Sequence, residues 1–184
     1  MILEAKKRLF DVLCSLIGIL LMGIPMLILF VLASIDTKSN NFFFQTRVGQ
    51  FGNFFTICKF KTVDPVSGKI SSFGKFLRKS KLDELPQLLN VLVGDMSLVG
   101  PRPDIPGYYD KLEGQARKIL ELKPGITSLA SIKYRNEEYL LSKQENPLRY
   151  NDEILFPDKV KMNLEYYYNR TFLLDLRIII KTFI

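Results

Sequence analysis

Residues Val12–Ile35 read VLCSLIGILLMGIPMLILFVLASI, an uncharged run within a chain of 184 residues. Its length is close to the roughly 20 apolar residues a helix needs to span a bilayer core. On hydropathy alone it reads as a single-pass anchor. It is too long for a cleavable signal peptide, and no small-residue cleavage pattern follows it. Two features oppose a simple crossing. Lys6, Lys7 and Arg8 precede the run and Lys38, Arg47, Lys59 and Lys61 follow it, so the positive charge that orients a membrane helix is similar on both sides. Pro25, two residues after Gly23, removes a backbone hydrogen bond near the middle and crowds the preceding turn. A break there would turn the chain back with both ends on one face, which lipid tolerates only where neighbouring groups satisfy the freed carbonyls. Arg8 and Asp11, three residues apart at the mouth of the run, are spaced to pair and anchor it at the interface, or to form a solvated flank. The residue pattern leaves crossing and re-entry both open.

Outside the run the chain is basic, with 26 Lys and Arg against 19 Asp and Glu, a formal charge of +7. Such a balance suits an anionic membrane surface or a polyanionic substrate. The absence of histidine excludes Ser-His-Asp and Cys-His catalysis, histidine zinc sites and histidine general bases. Chemistry must come from carboxylates, Lys, Arg, Tyr, hydroxyls or a hard cation. Cys14 and Cys58 have no paired spacing, so no disulfide framework is expected and a reducing compartment is favoured.

The expected elements follow from pattern. Asp36 to Asn41 is a polar linker, which divides the chain into a membrane segment, 1–36, and a catalytic domain, 37–184. FFFQTRVGQFGNFFTICKFKTV, from Phe42, predicts two strands about a turn at Gln50-Phe51-Gly52-Asn53. Ser72 to Lys79 predicts a basic amphipathic helix with Phe73, Phe76 and Leu77 on one face. Ser80 is a plausible N-cap for a helix running from Leu82 to a stop at Gly94, with Pro86 early in it. A second helix is expected over about Tyr108 to Leu122 and a turn at Lys123 to Thr127. Ser128 to Tyr134 reads as extended and Lys143 to Asp152 as a loop. A last helical stretch from Pro157 ends in FLLDLRIIIKTFI, a pattern that suits an interfacial helix or a core one. The fold class expected is α+β, mainly α, with a small β-hairpin.

The chemistry-bearing segment is Leu82 to Pro103, LDELPQLLNVLVGDMSLVGPRP. Asp83 and Glu84 open it. An acidic pair in a first helical turn is most often dipole compensation. Adjacent helical positions point about 100° apart, so one acid can act as nucleophile or metal ligand while the other orients or exchanges protons. Arg102 closes the segment between Pro101 and Pro103, which bias it towards an extended backbone and brace its guanidinium for a phosphate. Lys59 and Lys61 alternate along a predicted strand and would share a face, and Arg78 lies just before the acidic pair.

Taken together, these motifs resemble the bacterial sugar transferases, the monotopic phosphoglycosyl transferases. The resemblance runs through Lys7-Arg8-Leu9-Phe10-Asp11, the proline-bearing apolar run, Phe44 to Gly49, Lys59-Phe60-Lys61-Thr62, Leu77-Arg78-Lys79, the Leu82 to Pro103 block, Lys123 to Thr127 and Tyr166 to Thr182. Order and spacing agree over nearly the whole chain, which looks like the family's small, single-domain form. The resemblance implies transfer of a phosphosugar from a UDP-sugar to undecaprenyl phosphate with release of UMP, at the cytoplasmic face of the bacterial inner membrane. It implies Asp83 as the nucleophile of a covalent intermediate, Glu84 as its partner in holding Mg2+, and Arg102 beside the active site. Lys59, Arg78 and Arg135 are expected to bind substrate phosphate, with membrane lipid as surroundings and nucleic acid no partner. It also implies that the helix broken at Pro25 is re-entrant and that amphipathic helices lie at the interface. The chain departs from the family pattern at Lys61, where Arg is usual, at Ile24 before Pro25, where Ser is common, and at Ser128-Leu129-Ala130-Ser131 and Lys133-Tyr134-Arg135-Asn136. Lys61 gives up bidentate geometry, Ile24 removes a hydroxyl that could satisfy a freed carbonyl, and the last two departures bear on the donor sugar. The rival expectation is a membrane-anchored basic domain that binds anionic lipid or nucleic acid and is not an enzyme.

Overall fold

A computed structural model describes residues 2–184, with side chains placed from residue 4 onward. The fold is α+β and mainly helical. The first helix, α1, covers Ile2–Thr37 and is long and apolar enough to cross a membrane. It is helical through Pro25 as one element, so the expected interruption at that residue does not appear as two separate helices. The strands β1 (Phe42–Val48) and β2 (Phe54–Phe60) pair antiparallel about a short 3-10 turn, Gln50–Gly52, as the aromatic and β-branched residues predict. Helix α2 (Ser72–Ser80) is capped by Ser71, whose hydroxyl accepts from the Gly74 amide at 2.8 Å.

The expected helix from Leu82 is corrected by proline chemistry. Leu82–Glu84 is a 3-10 turn and α3 covers Gln87–Val93. Pro86 has no N–H to give to the Leu82 carbonyl, so the chain closes with i→i+3 bonds instead, Leu85 N–H to Leu82 O at 3.3 Å and Leu88 N–H to Leu85 O at 3.1 Å. Ser80 is therefore no N-cap. Its hydroxyl donates back to the Phe76 carbonyl at the end of α2, and Lys81, at φ 58°, turns the chain. Gly94, at φ 103°, ends α3 as expected.

Strand β3 (Ser97–Val99) pairs in parallel with β4 (Gly125–Thr127), a pairing the short runs did not announce. The second expected helix is two 3-10 stretches, Tyr109–Lys111 and Gly114–Glu121. The stretch expected to be extended is a helix, α4 (Leu129–Lys133), because Ser128 caps it through the Ser131 amide at 3.0 Å. Helices α5 (Glu137–Ser142) and α6 (Pro147–Tyr150) follow, the latter inside the expected loop and capped by Asn146. The last stretch is two helices, α7 (Phe156–Asn169) and α8 (Phe172–Phe183), split where Thr171 caps α8.

Three apolar clusters hold these elements. Ile57, Val91 and Met96 lock the hairpin to α3 and β3. Val99, Leu122, Tyr166 and Ile178 join β3 to α7 and α8. Val48, Tyr109, Ile119 and Leu120 fill the far end, where Asn163 donates to the Tyr109 hydroxyl at 2.7 Å.

Helix α1 is bound to this body at both ends. Lys7 donates to Asp175 at 2.6 Å, and Asp175 also accepts from the Tyr166 hydroxyl. Arg8 and Asp11 do not pair with each other. The Arg8 guanidinium instead caps α3 through the carbonyls of Val91 and Leu92, at 2.6 and 2.8 Å. Asp11 accepts from the Leu98 amide at 3.0 Å. At the other end the Ser71 hydroxyl donates to Asp36, Asn41 donates to the Phe30 carbonyl, and Phe30 packs on Phe42.

Candidate active site

The acidic pair sits where four segments meet. The turn Leu82–Glu84 follows the left-handed residue Lys81, and both acids are buried. Asn90 of α3 fixes the neighbouring strand β2 from the side. Its amide donates to the Thr56 carbonyl at 2.8 Å and its oxygen accepts from the Cys58 amide at 3.3 Å. Lys59, the next residue, is thereby aimed at the pair. Its ammonium donates to Glu84 Oε1 at 2.8 Å.

Arg102 arrives from the opposite side. The β3–β4 pair positions it, because Gly100 donates to the Thr127 carbonyl at 3.0 Å and Gly125 donates to the Pro101 carbonyl at 2.8 Å. Gly100 and Gly125 lie backbone to backbone, and a Cβ on either would strike the other strand's main chain. Only glycine permits this approach. The braced guanidinium grips Glu84 with a fork, Nη1 on Oε2 at 3.2 Å and Nη2 on Oε1.

The two carboxylates thus differ in state. Burial alone would raise the Glu84 pKa, but Arg102 and then Lys59 outweigh it and hold the group down at about 2. Asp83 is pushed above its ordinary value, first by burial and then by the negative charge of Glu84. Its Oδ1 is buried with no hydrogen-bond partner. An unpartnered carboxylate beside a fully engaged one suits a division of labour between attacking group and charge-organising group. Burial also lowers the Lys59 pKa, with Glu84 opposing.

Of the other residues singled out in the sequence, Arg78 lies nearby. Its Nε donates to Thr62 Oγ1 at 2.8 Å, and its Nη1 is 3.6 Å from Glu138 of α5. Lys61 does not join Lys59 at the pair and reaches Ser39 at 3.2 Å. Arg135 is also turned elsewhere, donating to the carbonyl of Thr182 at the end of α8 at 2.7 Å. Arg47 was missed as a site residue. It lies on the same hairpin face as Lys59, since Phe43 opposes Lys59 and Arg47 opposes Phe55. Its guanidinium donates to Gln45 and to the Pro103 carbonyl and lies 4.0 Å from Asp104, tying β1 to the Pro-Arg-Pro segment. The period-two alternation of the hairpin carried that signal.

Among the described residues no cluster of three or more His, Cys, Asp or Glu is gathered. A carboxylate dyad remains a fitting donor set for Mg2+, which binds through one or two carboxylates, keeps several waters and shares substrate phosphate oxygens. The unpartnered Asp83 Oδ1 and the Glu84 carboxylate are the atoms that would hold it.

The family model of bacterial sugar transferases matches residues 2–184. The chain belongs to this family. It is an enzyme, and the reading as a non-enzymatic anchored basic domain is set aside. It is 38% identical to the uncharacterized sugar transferase EpsL of Bacillus subtilis over 96% of its own length and 84% of that protein. It is 33% identical to the undecaprenyl-phosphate galactose phosphotransferase of Salmonella typhimurium, covering 71% of this chain and 33% of the relative. Against the UDP-glucose:undecaprenyl-phosphate glucose-1-phosphate transferase of Klebsiella pneumoniae the identity is 32%, over 79% of the chain and 35% of the relative. The chain therefore spans about a third of the two relatives named for a reaction.

Proposed function

We propose that this transferase moves a sugar-1-phosphate from a UDP-sugar to undecaprenyl phosphate, releasing UMP, through a covalent phosphosugar on Asp83. The observation that carries the reading is the buried, unpartnered Asp83 carboxylate held beside a Glu84 that Lys59 and Arg102 have fixed. The names of the Salmonella and Klebsiella relatives support the acceptor and the type of group transferred.

In the first half-reaction an Asp83 oxygen attacks the β-phosphorus of the donor. The new O–P bond forms as the bridge to the α-phosphate breaks, and UMP leaves with the bonding pair. Lys59 and Arg102 are the cations within reach of the developing charge. In the second half an oxygen of the lipid phosphate attacks the same phosphorus, and the Asp83 carboxylate leaves unchanged. Magnesium, held by Asp83 and Glu84, would neutralise phosphate oxygens in both halves. Arg78, which donates to Thr62 and lies near Glu138, is a third candidate phosphate partner. Arg135 would reach a phosphate only by releasing the α8 carbonyls.

A lipid acceptor requires the site to stand at the membrane. We place α1 as a re-entrant segment with the catalytic body on the cytoplasmic side. The attachment of both ends of α1 to one folded body supports this. So do exposed apolar residues on α2, α3 and α8, including Phe76, Val93, Leu173 and Ile180, which suit interfacial helices. The test is UMP release in detergent or liposomes with undecaprenyl phosphate and Mg2+, across a panel of UDP-sugars. Wild type should release UMP with at least one donor and Asp83→Asn with none. Turnover by Asp83→Asn at the wild-type rate would overturn the assignment.

A further inference from the structure

Glu84 uses both of its oxygens on cations. Oε1 accepts from Lys59 and from Arg102 Nη2, and Oε2 accepts from Arg102 Nη1. Both groups also feel the charge of the nucleophile, yet Asp83 has neither as a hydrogen-bond partner. A carboxylate neutralised by two cations is a poor ligand for a third, and two cations held by a carboxylate are poorly available to a phosphate. The three contacts therefore oppose both roles that the reading above gives to these residues. The opposition resolves if the two roles are exercised together.

We propose that Glu84 is a stand-in for substrate phosphate: its carboxylate and the donor diphosphate are alternative anions for Lys59 and Arg102, and a divalent cation that draws Glu84 away hands both to the diphosphate. This rests on the UDP-sugar reading and adds to it a fixed coupling between metal and donor. Each ligand raises the affinity for the other, because each favours the same arrangement of Glu84. The burial of Glu84, only 7% exposed, keeps the exchange from being short-circuited by water.

The experiment is calorimetric titration of UDP into the purified protein, with EDTA and then with Mg2+. In EDTA, Glu84→Gln should bind UDP about fivefold to tenfold more tightly than wild type, the gain expected from freeing a partly buried pair of cations. Asp83→Asn, which leaves the Glu84 contacts in place, should gain less than about twofold. An equal gain in both variants would reduce the effect to net charge and overturn the proposal. Lys59→Met needs no change at Glu84 and guards against misfolding of that variant. It should cost less than about twofold in EDTA, where Lys59 is already occupied, and more than about tenfold with Mg2+. Equal losses in the two conditions would overturn the proposal. Failure of wild type to bind UDP even with Mg2+ would overturn the donor reading itself. Normal Mg2+-dependent binding with equal metal-free affinities would overturn only the coupling.

Discussion

Asp83 and Glu84 are neighbours whose pKa values burial raises alike, and only Glu84, its charge met by Arg102 and Lys59, ends below its ordinary value. The consequences separate by pH. The folded Asp83 pKa lies above its unfolded value, so ionising it penalises the fold. That penalty is present in full above the raised pKa and disappears as pH falls to the ordinary aspartate range. Asp83→Asn should therefore raise the melting temperature at neutral pH, with the gain vanishing in acid. Equal melting curves at pH 7 would contradict the placement of Asp83. The same variant should lose UMP release by about a thousandfold or more, as expected when a covalent nucleophile is removed. Glu84 runs the other way. Its folded pKa of about 2 against 4.5 makes it a stabilising group whose contribution is present above about 4.5 and lost as pH falls towards 2. Glu84→Gln should cost up to about 3 kcal/mol at pH 7, read by denaturant melts, and nearly nothing near pH 2.

At the scale of elements, the site depends on two glycines that no carboxylate argument would find. Gly100 and Gly125 let β3 and β4 approach until their main chains touch, and that contact sets where Pro101-Arg102-Pro103 emerges. Gly100→Ala should destabilise the fold by about 3 kcal/mol, as overpacking against backbone does, and depress UMP release further than its loss of folded protein explains. Full activity in the folded fraction would show that Arg102 does not depend on this contact. Strands β3 and β4 are three residues each and pair in parallel across a long connection, so the runs carried too little alternation to be read. The hairpin was legible because seven-residue strands of aromatic and β-branched residues flank a Gly-bearing turn. Asp83, Glu84, Lys59 and Arg102 were legible as residues and come together as a site. Their local backbone was misread, since the hydrophobic spacing of Leu82, Leu85 and Leu89 masked the missing Pro86 N–H. Ser128 to Tyr134 was misread as extended because the capping hydroxyl of Ser128 was not counted. Lys61 and Arg135 show the limit of charge reading, for neighbouring hydroxyls and helix-end carbonyls claimed them first.

For the molecule as a whole, the decisive relation is between α1 and the body it serves. A helix that crosses a bilayer places its ends about 30 Å apart across hydrocarbon, and a single compact domain can hold only one of them. Here Lys7, Arg8 and Asp11 are fastened to α8, α3 and β3. Ser15 is fully buried, and a Cβ at Gly18 would meet Leu88 of α3. Beyond the middle, Ala33 and Thr37 are buried again, and Asp36 bonds Ser71 ahead of α2. Between these holds, residues Leu20 to Pro25 are all exposed. The fourteen residues between Gly18 and Ala33 rise only about 21 Å as helix, short of the roughly 30 Å hydrocarbon core. The proposed re-entrant placement accords with these holds and would set the dyad, Lys59 and Arg102 close to the headgroups where a lipid phosphate resides. In a protein whose Cys14 and Cys58 have been replaced by Ser, Glu4→Cys and Lys38→Cys should both react with a membrane-impermeant maleimide only from the cytoplasmic side of oriented vesicles. Labelling of Glu4→Cys from the opposite side would mean that the contacts of Lys7, Arg8 and Asp11 do not form in the membrane. The site would then have to reach its lipid substrate without the buttress those residues give to α3 and β3.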